Sequence, residues 1–117
     1  MEQTIKGKVP SKSNCYKIVR IAGTSQLGKQ DKLYAYEKSF YLQCNVYRNR
    51  RIRKLFELYL DVYFENQRPD LDNSLKVVLD CLQGCSAITN DRNCVKIEAR
   101  KYIDRDNPRV EFTIVEV

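Results

Sequence analysis

The chain of 117 residues contains no histidine. This absence excludes Ser-His-Asp and Cys-His nucleophilic arrangements and removes the commonest general base at neutral pH. The sequence also has no run of about 18 apolar residues, so we expect no membrane-spanning helix and no membrane partner. Its first residues lack the apolar core of a signal peptide, which favours a cytoplasmic location. Any hydrolysis must therefore use carboxylates, lysine or a metal-activated water.

Metal-binding cysteine motifs are absent as well, although the chain has five cysteines. None is in a CxxC pair, and only Cys81 and Cys85 lie close together in sequence. Because a zinc site would need two further ligands and no histidine is available, structural zinc is disfavoured. The cysteines are interpreted as reduced thiols that pack as small apolar side chains.

Charge and length indicate the class of partner and the number of domains. The chain has 21 Lys+Arg against 15 Asp+Glu, a net charge of +6 and a pI near 9.1, which favours a polyanionic partner such as nucleic acid. Without repeats, linkers or low-complexity segments, residues 1–117 are predicted to form a single domain.

Hydrophobic periodicity predicts the secondary structure. Residues 55–64 alternate strictly between apolar and polar side chains, which indicates a strand with one buried face. The predicted strands cover residues 4–9, 16–21, 55–64, 95–100 and 110–114. A helix is expected from Leu33 to about Val46, and the turn at 104–108 predicts a C-terminal β-hairpin. The fold class is therefore α+β, with a mixed sheet packed by two main helices.

The second helix is predicted from Asp70 to about Leu82. Pro69 marks its start, and Gly84 provides a C-terminal stop. At 100° per residue, one apolar stripe is expected to pack on the sheet. This stripe contains Leu71, Leu75, Val78, Leu79 and Leu82.

The opening of this helix carries an acidic motif. Asp70 and Asp72 flank one residue at a helix N-terminus and can hold a hard divalent cation through oxygen ligands. Two simpler interpretations remain open. In the first, Asp70 serves only as the N-cap of the helix. In the second, Asp72 only pairs with Lys76 four residues later. Asp80, two turns beyond Asp72, is interpreted as structural.

Asp91 is the third candidate carboxylate. It lies in a polar link before the strand that begins near Cys94. If that strand pairs beside residues 55–64, we expect the link to return to the start of the acidic helix. Asp91 would then complete an oxygen-only site suited to Mg²⁺ or Mn²⁺. The alternative is a simple turn residue.

A basic segment precedes the alternating strand. Residues 48–54 contain five basic side chains in seven positions, and they are predicted to contact phosphates with a strong salt dependence. These candidate DNA-binding residues are Arg48, Arg50, Arg51, Arg53 and Lys54. The alternative is a solvated loop whose charges only maintain solubility.

The residues around the acidic motif resemble the RusA family of Holliday-junction resolvases. The resemblance is carried by Arg68-Pro69-Asp70-Leu71-Asp72-Asn73, Lys76, the Asp80 to Gly84 segment and Asp91, and it covers about residues 66–95. The segment at 10–14 is similar to the family only loosely. Asn90 stands where the family has the first aspartate of a pair, which puts a second metal or the dimer contact in doubt.

The resemblance implies a Mg²⁺-dependent homodimer of bacterial or phage origin. Such an enzyme binds four-way DNA junctions and nicks two opposing strands in recombination and repair. Asp70, Asp72 and Asp91 would be the metal-binding catalytic carboxylates, and Lys76 the basic residue beside them. Arg68 and Lys76 join the candidate DNA-binding residues.

Two other functions remain open at this point. One is a branched-DNA-binding protein that does not cut, and the other is a metal-dependent nuclease for other branched DNA. Binding alone has no need for carboxylates that face phosphates, so the retention of Asp70, Asp72, Asp91 and Lys76 favours an enzyme.

Overall fold

The computed structural model describes residues 1–10 and 31–117. Their strands are β1 (Gln3–Lys6), β2 (Phe56–Phe64), β3 (Cys94–Ile103) and β4 (Arg109–Glu116). Their helices are α1 (Asp31–Gln43), α2 (Leu71–Gly84) and a 3-10 turn at Asp91–Asn93. The strands form one mixed sheet in the order β1-β4-β2-β3, which confirms the α+β class. The strand predicted over 16–21 lies outside the described residues.

Strand β2 is the central strand around which the sheet is built. Its nine residues alternate between buried and partly buried, as their sequence predicts. It pairs in parallel with β3 and antiparallel with β4. The predicted C-terminal hairpin is therefore wrong, because β3 and β4 lie on opposite sides of β2. Alternation and turn residues identify two strands, but they do not reveal whether a third strand lies between them.

The face of helix α2 that packs on the sheet overlaps the predicted stripe only in part, at Val78 and Leu82. Its buried residues are Ser74, Val77, Val78, Cys81 and Leu82. Leu71, Leu75 and Leu79 are only partly buried and lie at the margin of the core. The helix ends at Gly84, two residues beyond the prediction, and the left-handed residue after it is Ser86 (φ 60°) rather than a glycine.

Helix α1 begins two residues earlier than predicted and ends at Gln43, three residues sooner. Its buried ring Phe40 stacks on Phe112 of β4 with centroids 5.8 Å apart, which joins the helix to the sheet. Neither described helix is long and apolar enough to cross a membrane.

The two edges of the sheet differ. At β1, which is shorter than predicted, the Lys6 N–H donates to Gln43 Oε1 at 2.8 Å, and Gln43 Nε2 donates to the Lys6 carbonyl at 2.9 Å. The side-chain amide of Gln43 therefore forms hydrogen bonds with the backbone N–H and carbonyl of Lys6 at this edge. At β3, by contrast, none of the ten residues is buried. Ile97 (40% exposed) and Ile103 (53%) remain partly exposed, although their partners on β2, Leu58 and Phe64, are buried.

Candidate functional site

Asp70 occupies the N-cap position of α2 without acting as a cap. Its backbone is extended (φ −87°, ψ 138°), and its side chain makes no hydrogen bond to the first N–H groups of the helix. The side chain is exposed. Since an N-cap aspartate normally accepts from those N–H groups, the simple capping interpretation fails here. The carboxylate oxygens remain available at the positive end of the helix dipole.

Asp72 and Lys76 are also exposed, on the first two turns of α2. In residues 1–10 and 31–117, the ion pairs within 4.0 Å do not include a contact between these two side chains. The alternative in which Lys76 only neutralises Asp72 is therefore not supported. Two carboxylates and one ammonium group face solvent on the same end of the helix.

Asp91 lies at the opposite end of α2. Its backbone N–H donates to Oε1 of Gln83, in the last turn of the helix, at 3.1 Å. The reason is topological: β3 runs parallel to β2, so its start lies beside Phe56 rather than beside the end of β2. The expectation that Asp91 returns to the start of the helix is thus wrong within one chain. The 14 residues of α2 separate the two ends by about 21 Å, since an α-helix rises about 1.5 Å per residue.

Asn90 caps the 3-10 turn that contains Asp91. Its side-chain oxygen accepts from the Arg92 N–H at 3.0 Å. Asparagine and aspartate serve equally well in this role. The replacement of the family's aspartate by Asn90 therefore preserves the local geometry that presents Asp91.

The basic segment divides into two parts. Arg48 donates to the Tyr41 carbonyl at 2.7 Å, and Arg50 donates to the Val46 carbonyl at 3.1 Å. Each guanidinium also lies over a tyrosine ring, at 5.1 Å for Arg48 and 5.5 Å for Arg50. These two residues stabilise the chain after α1, which weakens their assignment as DNA contacts.

The second part consists of Arg51, Arg53 and Lys54, which are exposed. The backbone here is held against the end of α2, since the Arg51 N–H donates to the Ser86 carbonyl at 2.8 Å. Asn93 Nδ2 donates to the Arg53 carbonyl at 3.2 Å. The exposed basic residues therefore lie beside Asp91, at the far end of α2 from Asp70.

Lys101 is a residue that the sequence analysis did not single out. Its Nζ donates to the Gln67 carbonyl at 2.8 Å and to the Pro69 carbonyl at 2.6 Å, directly before Asp70. The sequence contained one signal for this residue: Lys101 is charged although the positions two residues before and after it on β3, Ala99 and Ile103, are apolar. The exposed Arg68 lies in the same link, where its N–H donates to Asn66 Oδ1 at 3.0 Å.

The four described cysteines are reduced thiols, and Cys44, Cys81 and Cys85 are buried. A hydrogen bond with Cys85 raises the pKa of the Cys44 thiol, and the same bond lowers the pKa of Cys85 to about 7. Within the described ranges, no group of three His, Cys, Asp or Glu side chains is arranged to hold a metal ion. The three candidate carboxylates are therefore not brought together within the described part of one chain.

The donor set at the start of α2 nevertheless fits a hard cation. Within residues 1–10 and 31–117, Asp70 makes no capping bond and Asp72 makes no ion pair with Lys76. Both can therefore offer carboxylate oxygens, which are the ligands that Mg²⁺ and Mn²⁺ prefer. What is missing is a third ligand from elsewhere. An acidic pair that can hold a cation, on a protein with exposed basic residues, suits an enzyme that acts on phosphodiesters.

Comparison with protein families supports this class. The family described as "Endodeoxyribonuclease RusA" matches residues 9–115, nearly the whole chain, so the chain belongs to this family. Comparison with curated proteins gives no match. Membership confirms the resemblance and makes the protein an endodeoxyribonuclease with Holliday-junction resolvase activity. Nucleases of this kind are generally metal-dependent, and the family acts on branched DNA and points to a bacterial or phage origin.

Proposed function

We propose that residues 1–117 form one nuclease domain that resolves four-way DNA junctions by paired, Mg²⁺-dependent nicks, in recombination and repair. The protein acts as a homodimer on DNA in the cytoplasm, in association with the nucleoid. One observation carries the proposal: Asp70 and Asp72 lie at one end of α2 with free carboxylates, whereas Asp91 lies at the other end. Two copies of the chain are needed to complete one site.

The open edge of the sheet provides the way to join two copies. A two-fold axis through the middle of β3 would pair this strand antiparallel with its copy. The start of one β3 then lies beside the end of the other. Because Asp91 precedes the start and Asp70 lies near the end, each site combines Asp91 of one protomer with Asp70 and Asp72 of the other.

The side chains of β3 suit this pairing. With the axis at the small residue Ala99, Glu98 of one protomer lies opposite Arg100 of the other, so opposite charges meet across the strands. Ile97 and Ile103, which are on the helix-covered side with Leu58 and Phe64, become covered. A strand with no buried residue thereby obtains the burial that its apolar side chains lack in one protomer.

The chemistry follows from the residues thus assembled. Asp70, Asp72 and Asp91 would hold the cation, which when bound supplies an activated water and neutralises charge on the phosphate. Lys76, one turn from Asp72, offsets charge that develops on the phosphoryl oxygens. Arg53 and Lys54 lie beside Asp91 and hold the DNA backbone at the site. Two sites related by the two-fold axis account for two opposing nicks.

Complementation between two inactive variants tests the proposal. Asp72→Asn and Asp91→Asn are each prepared, mixed, unfolded and refolded together so that heterodimers form. In a heterodimer, one composite site carries both substitutions and the other carries neither. We therefore expect each variant alone to be inactive and the mixture to nick one strand of a four-way junction in Mg²⁺.

The control mixes Asp70→Asn with Asp72→Asn, in which every site carries one substitution and no activity returns. If the Asp72→Asn and Asp91→Asn mixture also stays inactive although heterodimers are present, the composite site is wrong. Junction binding by the wild-type dimer without nicks in Mg²⁺ would instead favour the non-cutting DNA-binding protein.

A further inference from the structure

Lys101 places its charge in an unusual position on β3. Its neighbours in the same phase of the strand, Ala99 and Ile103, are apolar, and on the paired strand it lies opposite Val62. The side chain passes Phe64, with Nζ 5.6 Å from the centroid of the ring. It ends among backbone carbonyls rather than at a carboxylate, so no ion pair explains it.

The two carbonyls that accept from Lys101 belong to the link between β2 and α2. The Gln67 carbonyl lies at 2.8 Å and the Pro69 carbonyl at 2.6 Å, on either side of Arg68. Pro69 has no N–H with which to fix this segment itself. The ammonium group therefore determines the position of the peptide that leads directly into Asp70.

This contact lies directly before Asp70, whose side chain does not cap the helix. Its backbone is extended, and its carboxylate makes no hydrogen bond to the first turn of α2. Since Lys101 holds the preceding carbonyl, the helix start does not depend on the Asp70 side chain for its position. The carboxylate is thereby left free at the end of the helix.

We propose that Lys101 is a positioning residue for the metal ligand Asp70: it clamps the Gln67 and Pro69 carbonyls and so presents the Asp70 carboxylate outward to a divalent cation. This inference rests on the proposed metal site and adds a residue to it. The residue acts from β3, the strand that also forms the proposed dimer edge. Pairing of β3 and the geometry of the acidic motif are therefore coupled through one side chain.

The test compares Lys101→Met and Lys101→Arg with Lys96→Met. Lys96 lies on the same strand but on the opposite face of the sheet, where its Nζ is 5.4 Å from the Tyr59 ring, so its replacement removes the same charge without touching the link. The probe is Mn²⁺ alone, with binding followed by electron paramagnetic resonance on the dimer without DNA. We expect Lys101→Met to bind Mn²⁺ at least about tenfold more weakly, because loss of an outer-sphere partner of a metal ligand costs roughly 10–100-fold.

Lys101→Arg, which keeps the charge and can donate to both carbonyls, is expected to restore affinity to within about threefold. Lys96→Met should bind Mn²⁺ as the wild type does. In nicking assays, the Mg²⁺ concentration for half-maximal rate should rise in the same order. The affinity for junction DNA in EDTA should change equally in Lys101→Met and Lys96→Met, since both lose one positive charge.

Unchanged Mn²⁺ affinity in Lys101→Met would overturn the inference, as would equal losses in Lys101→Met and Lys96→Met. If circular dichroism shows that Lys101→Met does not fold, Lys101→Gln is measured against the same criteria. A wild-type protein that binds no Mn²⁺ at millimolar concentration overturns the inference together with the metal site. A wild type that binds Mn²⁺ but does not nick junctions contradicts the proposed function alone, because the Lys101 comparison is made without DNA.

Discussion

At the scale of single residues, the carboxylates at the start of α2 are distinguished by what they do not contact. Asp70 stands at a position where aspartate normally caps, yet its carboxylate is unengaged. Unengaged carboxylates in a protein of net charge +6 repel DNA phosphates unless a cation lies between them. Their position is therefore explained by catalysis better than by binding.

We expect Asp72→Asn to abolish cleavage of a four-way junction while junction affinity in EDTA stays the same or increases. Cleavage should fall by at least about a hundredfold, since even an outer-sphere partner of a metal ligand contributes roughly 10–100-fold. Affinity should not fall, because the substitution removes a negative charge that faces the DNA. Nicking is followed on denaturing gels and affinity by mobility shift.

The control for this variant is Asp31→Asn, which removes an exposed carboxylate from the first turn of the other helix. It should cut as the wild type does. Parallel loss of binding and cutting in Asp72→Asn would contradict a catalytic role for this residue.

The basic segment yields a second prediction at this scale. Arg53→Gln should reduce the slope of log affinity against log salt by about one, since its exposed guanidinium is free to contact a phosphate. Arg50→Gln should leave the slope unchanged, because Arg50 is engaged with the Val46 carbonyl and the Tyr47 ring. Fluorescence anisotropy with junction DNA at several salt concentrations measures both. Equal slopes for the two variants would show that the division of the segment is incorrect.

At the scale of elements, the leucines of α2 differ in how deeply they are buried. Leu82 is fully buried, whereas Leu79 is only partly buried at the margin of the core. The sequence assigned both to one apolar stripe, because periodicity gives the width of an apolar face but not which part of it the sheet covers. The rotation of the helix is decided by the neighbours that fill the core.

We therefore expect Leu82→Ala to destabilise the protein by about 2–5 kcal/mol through the cavity that it leaves. Leu79→Ala should cost clearly less in the monomeric state, since part of its side chain is already exposed. Urea unfolding monitored by circular dichroism gives both values when measured at low protein concentration. A larger cost for Leu79→Ala would mean that the predicted stripe, rather than the observed face, packs on the sheet.

At the scale of the whole molecule, the two edges of the described sheet differ: Gln43 bonds to the backbone of Lys6 on β1, whereas β3 pairs with a described strand on one side only. Long exposed edge strands are normally blocked or paired, because their free N–H and C=O groups otherwise recruit other chains. In the proposed dimer, pairing of β3 with its own copy would close this edge and complete two metal sites in one step. Assembly and activity are thus expected to depend on the same strand.

Ile97→Lys tests this dependence. Its side chain is 40% exposed in one protomer but would be buried in the dimer, so a charge there should weaken the dimer at least about a hundredfold by leaving an unpaired charge in the interface. Analytical ultracentrifugation measures the dimer constant. On a cruciform plasmid, the variant should give nicked circles or no product where the wild type gives linear DNA directly.

Val115→Lys is the matched control, since Val115 is 42% exposed on β4 at the other face of the sheet. It should remain dimeric and linearise the plasmid. A monomeric wild type, or an Ile97→Lys variant that stays dimeric, would place the interface elsewhere on the molecule.

The sequence by itself determined the central strand β2, the presence of α2, the acidic motif at its start and the family. Each of these features depends on a short stretch of chain, in which residue type and spacing determine the local structure or the motif. Asp70, Asp72 and Lys76 are close in space because they are close along one helix.

Only the tertiary structure decided what depends on distant pairing. It placed β3 and β4 on opposite sides of β2, moved Asp91 to the far end of α2, and brought Lys101 to the carbonyl of Pro69. These placements depend on the direction and order in which whole strands pair, and no short stretch of sequence specifies that order. Because β3 is parallel to β2, Asp91 lies at the far end of α2 from Asp70, and the proposed site therefore needs two chains.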